Sequence, residues 1–283
     1  MEKINLDITD RRFDAGRAGS YELALLVGTD GLSFSVADEA GEVLALKSWF
    51  FPGTAGSFRQ VESAVRRILG GDEKLRLPFG RTRCAVFNQA ATLVPNRLFN
   101  PAELPAYFNL LLRAGIPLNY HFDDLPDFDS KLVFAVEASA AKVCEQYFPK
   151  EKLGHASSAL LRAWHRLARR NDYDVFLNFR NQVAQIAVFD RKHLLFFNTF
   201  SFVKASDCLY FTLLPFEQLR LNPLEVPLTL SGELMPDSEI YRLLYRYVRE
   251  LRFAGLPDYY QFPGAVQALP AHLNFDLYAL KQG

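Results

Sequence analysis

Cysteine is scarce in this 283-residue chain, and the three present, Cys84, Cys144 and Cys208, are far apart and odd in number. They suit neither a disulfide framework nor a CxxC zinc site, so a reducing cytoplasm is the expected home. Net charge is missing too. Lys plus Arg and Asp plus Glu stand at 32 each, which leaves no global field to gather nucleic acid or anionic lipid. No apolar run approaches the length of a membrane span, and the opening MEKINLDITDRRFD has no signal-peptide core. The five histidines, His121, His155, His165, His193 and His272, never fall in HExxH or HxH spacing. There is no GxxxxGK[ST], no GxGxxG after a strand and no GxSxG, so no local motif supports P-loop, dinucleotide or nucleophile-elbow chemistry.

What is present is a globular balance, 49% hydrophobic and 23% charged with 25 phenylalanines, and a pattern written twice. YELALLVGTDGLSFSVAD begins at Tyr21, and YDVFLNFRNQVAQIAVFD begins 152 positions later, at Tyr173. Each is a strand, a short turn and a second strand, and each leads through another turn into a third apolar run, 43–51 or 193–200. Both halves therefore open with a three-stranded antiparallel meander. Helices are predicted next, at 57–69, where Phe58, Val61, Val65, Ile68 and Leu69 share a face, and at 205–219, interrupted by Pro215. Short strands follow at 84–87 and 228–230, then long amphipathic helices at 102–113 and 237–253. Similar words follow these helices, AGIPLNYHF and AGLPDYYQF, read as helix stops. A strand at 131–136, a helix at 139–148 and a helix at 158–170 connect the halves. Two subdomains are expected, 1–160 and 161–283, each a mixed sheet with packed helices, an α/β architecture.

This order of elements resembles the duplicated actin-like ATPase, or ribonuclease H-like, fold. More narrowly, LDITD at 6–10, LVGTDGLSFSV at 26–36, ATLVPNRLF at 91–99 and LTLSGEL at 228–234 look like a bacterial family of unknown function with this fold. The resemblance implies a cleft between the halves that holds ATP and a divalent metal. In such proteins two hairpin turns of the form D-x-G-[ST] clasp the phosphates, and a glycine-pair loop backs the adenosine. Glycine lets backbone N–H groups approach phosphate, while the acid handles metal-bound water.

Carried over residue by residue, the motif is incomplete. Gly28 and Thr29 stand for the glycine and hydroxyl of the first turn, but Leu26 occupies the place of its acid. The repeat sets Asn178 opposite Leu26 and Arg180 opposite Gly28. The third motif, Leu230-Ser231-Gly232-Glu233, keeps one glycine of the pair. The resemblance thus implies a degenerate site of Gly28, Thr29, Asp30, Arg180, Asn181 and Gly232, with no catalytic residue, no metal ligand and no cofactor. ATP with Mg is the alternative, with Asp30 on a metal and Arg180 on a phosphate; the plainer readings are a turn aspartate and a solvated hairpin tip. A ribonuclease H-type nuclease needs a carboxylate within its first strand, and residues 21–27 offer only Glu22, at the start. The arginines of RAWHRLARR at 162–170 suit a helix C-terminus better than RNA. In RLLYRYVRELRF, Leu243, Leu244, Tyr247, Val248 and Leu251 fit a core-facing stripe better than a binding surface. The expected protein is a cytoplasmic, non-enzymatic interaction or assembly module with an unnamed protein partner; the runner-up is a residual nucleotide binder or slow ATPase.

Overall fold

The computed structural model describes residues 2–52, 57–108, 116–169 and 172–282. The chain forms two compact units. The first gathers Met1–Ala159, Asp258–Leu269 and Leu277–Gly283, and the second gathers Leu160–Pro257 and Pro270–Asp276.

Unit 1 contains β1 (Lys3–Thr9), β2 (Glu22–Gly28), β3 (Gly31–Ala37), β4 (Val43–Phe50), α1 (Phe58–Gly71), β5 (Arg81–Phe87), β6 (Ala91–Pro95), β7 (Leu118–Leu125), β8 (Ser130–Glu137), α2 (Ala138–Tyr147) and β9 (Leu153–His155). Six strands lie in the order β1-β4-β3-β2-β5-β9, and a separate sheet runs β6-β8-β7. β2 is a nearly continuous apolar run because both its faces are covered, and in β3 even Ser33 and Ser35 are buried. α1 packs Phe58, Val61, Val65, Ile68 and Leu69 inward, the stripe read from the sequence. Its first amide is capped from across the fold: Glu137, ending β8, accepts from Phe58 N–H at 2.7 Å. A carboxylate is favoured there by the unsatisfied amides at a helix start.

α3 (Ala156–Leu167) begins within unit 1 and ends within unit 2. Unit 2 continues with β10 (Tyr173–Arg180), β11 (Val183–Asp190), β12 (His193–Ser201), α4 (Ala205–Gln218), β13 (Leu228–Gly232), α5 (Glu239–Tyr247) and β14 (Leu251–Phe253). Its sheet runs β12-β11-β10-β13-β14. Two short helices follow, α6 (Gly264–Gln267) and α7 (Phe275–Ala279).

The two meanders agree in register as well as in order. Leu26 pairs with Ser33 and Leu23 with Val36; 152 positions on, Asn178 pairs with Gln185 and Val175 with Val188. The bulges match too. Val36 faces Ala45 and Ala37 faces Val43, which leaves Leu44 over. Val188 faces Phe196 and Phe189 faces Leu194, which leaves Leu195 over. Each first strand then has a parallel neighbour, β5 or β13.

Three expectations need correction. The helix predicted over 237–253 stops at Tyr247, Val248 turns extended, and Leu251–Phe253 adds a parallel edge strand beside β13. Leu251 fits the helical stripe, but Leu251 and Phe253, two residues apart, both pack against the core as alternate residues of a strand do. Over the predicted helix 102–113, the chain forms 3₁₀ turns at Pro101–Phe108 with Pro105 inside; residues 109–113 lie outside the described residues. The two similar phrases also stand in different places. One enters β7 and the other follows β14, so the second is no helix stop.

Candidate functional site

The sequence points to the two turns that close β2 and β10, one in each unit. In unit 1, β2 ends at Gly28, Thr29 and Asp30 form the turn, and β3 begins at Gly31. Asp30 is buried, and its carbonyl accepts Phe51 N–H at 2.8 Å. Gly31 is required by crowding, since a Cβ there lies 2.4 Å from the Trp49 carbonyl oxygen. Leu26 is fully buried between Ser33 on β3 and Ala85 on β5.

The same position in unit 2 is polar. Asn178, fully buried, lies between Gln185 on β11 and Ser231 on β13. Ser231 donates its hydroxyl to Asn178 Oδ1 at 2.9 Å, which ties the two parallel strands together. One residue on, Gly232 has φ +81°, and a Cβ there sits 1.9 Å from the Phe179 carbonyl oxygen. Its glycine is thus dictated by close approach of the neighbouring strand. Gly232 N–H donates to the His272 carbonyl, and Glu233 N–H to the Phe179 carbonyl, both at 2.8 Å.

Arg180 closes β10 and is buried, not a solvated hairpin tip. Its Nη1 lies 3.0 Å from Asp276 Oδ2, with both side chains about nine-tenths buried at 8% and 10% exposure. Ion pairing at this depth holds only while both partners are present. Asn181 follows in the left-handed region, φ 53°, where asparagine is tolerated. Its N–H donates to Glu233 Oε2 at 2.8 Å. His272 Nε2 lies 2.7 Å from the Leu234 carbonyl and therefore carries the proton; burial lowers its pKa. Asn178, Arg180, Asn181 and Gly232 therefore gather at the ends of β10 and β13 with Ser231, Glu233, His272 and Asp276; Asn178, Arg180, Ser231, His272 and Asp276 are buried, whereas Asn181 and Glu233 are exposed. Ser231 and Glu233 lay within the motif read from the sequence, whereas Asp276 and His272 reach it on the returning C-terminal segment and carry no local signal.

Among the described residues no group of three or more His, Cys, Asp or Glu side chains is disposed to hold a metal ion. An open cavity of about 450 Å³ in unit 1, lined in part by Glu22, Asp38, Arg81 and Lys281, lies where β2 begins and β3 ends, away from the Gly28–Gly31 turn. Arg169 binds Asp172, Asp174 and the Tyr173 carbonyl, which makes it a local clamp; Arg170 lies outside the described residues. On α5, Leu244 is buried, but Tyr245 and Tyr247 are exposed, so Tyr247 is not part of the core stripe. No helix among the described residues is long and apolar enough to cross a membrane.

Comparison with known proteins agrees with this architecture. A family model described as "Protein of unknown function (DUF3822)" matches residues 10–251. A Bacteroides thetaiotaomicron protein "with actin-like ATPase fold and unknown function" superposes with a TM-score of 0.77 at 19% identity, over 96% of this chain and 99% of that one. A chain of the PilM–PilN type IV pilus biogenesis complex superposes with a TM-score of 0.59 at 14% identity, over 92% and 98%. No curated protein matches. The fold is the actin-like ATPase fold.

Proposed function

This chain belongs to the DUF3822 family, whose function is unknown, and on that footing we propose that it is a non-catalytic actin-like protein that works in the cytoplasm as an interaction or assembly module. One observation carries the reading. The two groups of the second turn best suited to an anion, the Asn181 N–H and the Arg180 guanidinium, are held by Glu233 and Asp276 of the same chain. Own carboxylates thus stand where a phosphate would bind. A nucleotide would have to displace them and leave two carboxylates beside its own negative charge.

The Mg-ATP of the fold family fits these residues poorly. The two positions that would carry acids hold Leu26 and Asn178; the first has no donor oxygen on its side chain, and the second spends its amide oxygen on Ser231. The matching strand order, register and bulge support an origin of the two halves by internal duplication, after which the second turn became internally bonded. A chain of similar fold that sits in the PilM–PilN complex is a precedent for this architecture in protein assembly.

Thermal unfolding with and without millimolar Mg-ATP tests the proposal. A ligand at a hundredfold excess over its Kd adds about 2.7 kcal/mol of stability; the expectation is no shift. A rise in Tm that is abolished by Gly28→Trp would establish nucleotide binding at the turn of Gly28, Thr29 and Asp30 and overturn the reading.

A further inference from the structure

The two meanders differ at their outer edges. In unit 1, β4 is covered by β1, paired antiparallel from Thr9 against Ala45 to Lys3 against Phe50. In unit 2 the equivalent strand, β12, is the last of its sheet, and among the described residues β11 is its one strand partner. A long edge strand is a template for a further strand, and natural proteins blunt such edges with charge, proline or a bulge. β12 reads HLLFFNTFS, without proline or any Lys, Arg, Asp or Glu. Its bulge at Leu195 is no defence, because the matching bulge at Leu44 leaves β4 able to pair with β1 from Ala45 onward, with one shift of register at Asn5 of β1. The same count makes 196–200 the stretch available to a partner strand.

The side chain at one position points to the occupant. Counting from the paired bulges, Asn198 stands where β4 has Lys47, and Lys47 meets Asp7 of β1 at 2.8 Å in paired register. Asn198 is exposed, and its amide is complementary to a second copy of itself, as a lysine is not. We propose that β12 is a homodimerisation edge, pairing antiparallel with β12 of a second copy about a two-fold axis through Asn198. The axis sets Phe196 opposite Phe200, residues that both pack towards the unit 2 core, and Phe197 opposite Thr199. Two five-stranded sheets then become one sheet of ten strands, an isologous contact that closes on itself. Thr199 N–H, met at present by the Asn198 amide oxygen at 2.8 Å, becomes the donor to the Phe197 carbonyl of the second copy. Asn198 then falls at a non-hydrogen-bonded pair, where side chains come closest.

Sedimentation equilibrium tests this at protein concentrations up to about 100 µM, which saturate a micromolar contact. The mass expected is twice the 32.2 kDa of the chain. Asn198→Lys, which places two like charges across the axis, is expected to restore the single-chain mass with unchanged circular dichroism and a thermal transition that is still cooperative. A single-chain mass for the wild type throughout, or a dimer indifferent to Asn198→Lys, overturns the proposal. Should the variant misfold, amide hydrogen exchange of the wild type decides: protection at Phe197 and Thr199 rises with concentration if β12 pairs, and is constant if it does not. Neither readout involves nucleotide, so the result is independent of the function proposed above.

Discussion

Asp276 and Arg180 show how much rests on single residues here. Asp276→Ala leaves the buried Arg180 charge without this carboxylate, and a loss of about 3–5 kcal/mol is expected by denaturant unfolding. Converting the pair to apolar residues, Arg180→Met with Asp276→Leu, is expected to cost much less. Gly232→Ala forces a Cβ to within 1.9 Å of a backbone oxygen at φ +81°, and a loss above about 2 kcal/mol is expected. His155 acts through its proton. It is fully buried, its Nδ1 accepts Ser157 N–H at 3.1 Å, and desolvation lowers its pKa to about 4. In the unfolded chain a histidine titrates near about 6.5, so between these values the unfolded state binds more protons and stability falls as pH falls. The loss begins near pH 6.5, approaches about 3 kcal/mol and levels off below about pH 4. His121 and His272, lowered mainly by the same desolvation, add in the same direction. Urea unfolding across that range checks the slope, which should flatten in His155→Gln.

At the scale of elements, helix and strand identity follow from neighbours more than from residue type. The sequence reading begins α1 at Ser57, but Ser57 makes no capping bond to the helix, and Glu137 from β8 accepts from its first amide instead. Glu137→Ala should therefore cost about 1 kcal/mol, the usual worth of a cap, whereas Ser57→Ala should cost markedly less. Paired chemical-denaturation curves separate the two. β14 shows the same dependence. Leu251 fits a helical stripe on paper, but the backbone beside β13 takes a parallel partner, and pairing decides the conformation. The meanders were legible because central strands buried on both faces write long apolar runs and their turns need Gly, Asp or Asn.

For the whole molecule, chain order and compact units do not coincide. Residues 258–269 and 277–283 group with unit 1, where Tyr260, Val266, Tyr278 and Leu280 are buried and the Leu280 carbonyl accepts from Arg83 at 3.4 Å. A fragment of residues 1–160 lacks all of these, and is expected to unfold with low cooperativity; adding a peptide of residues 258–283 should sharpen the transition. Circular dichroism melts of the fragment with and without the peptide check this.

The sequence alone determined the meanders, the facing of α1, and the absence of acids at positions 26 and 178, because strand alternation, helical period and residue identity are local properties. Tertiary structure alone decided what happens at the second turn. Arg180 and Asp276 are 96 positions apart, and no spacing rule links an arginine at a strand end to an aspartate on a returning segment. Only folding brings them within 3.0 Å, where burial makes each charge depend on the other.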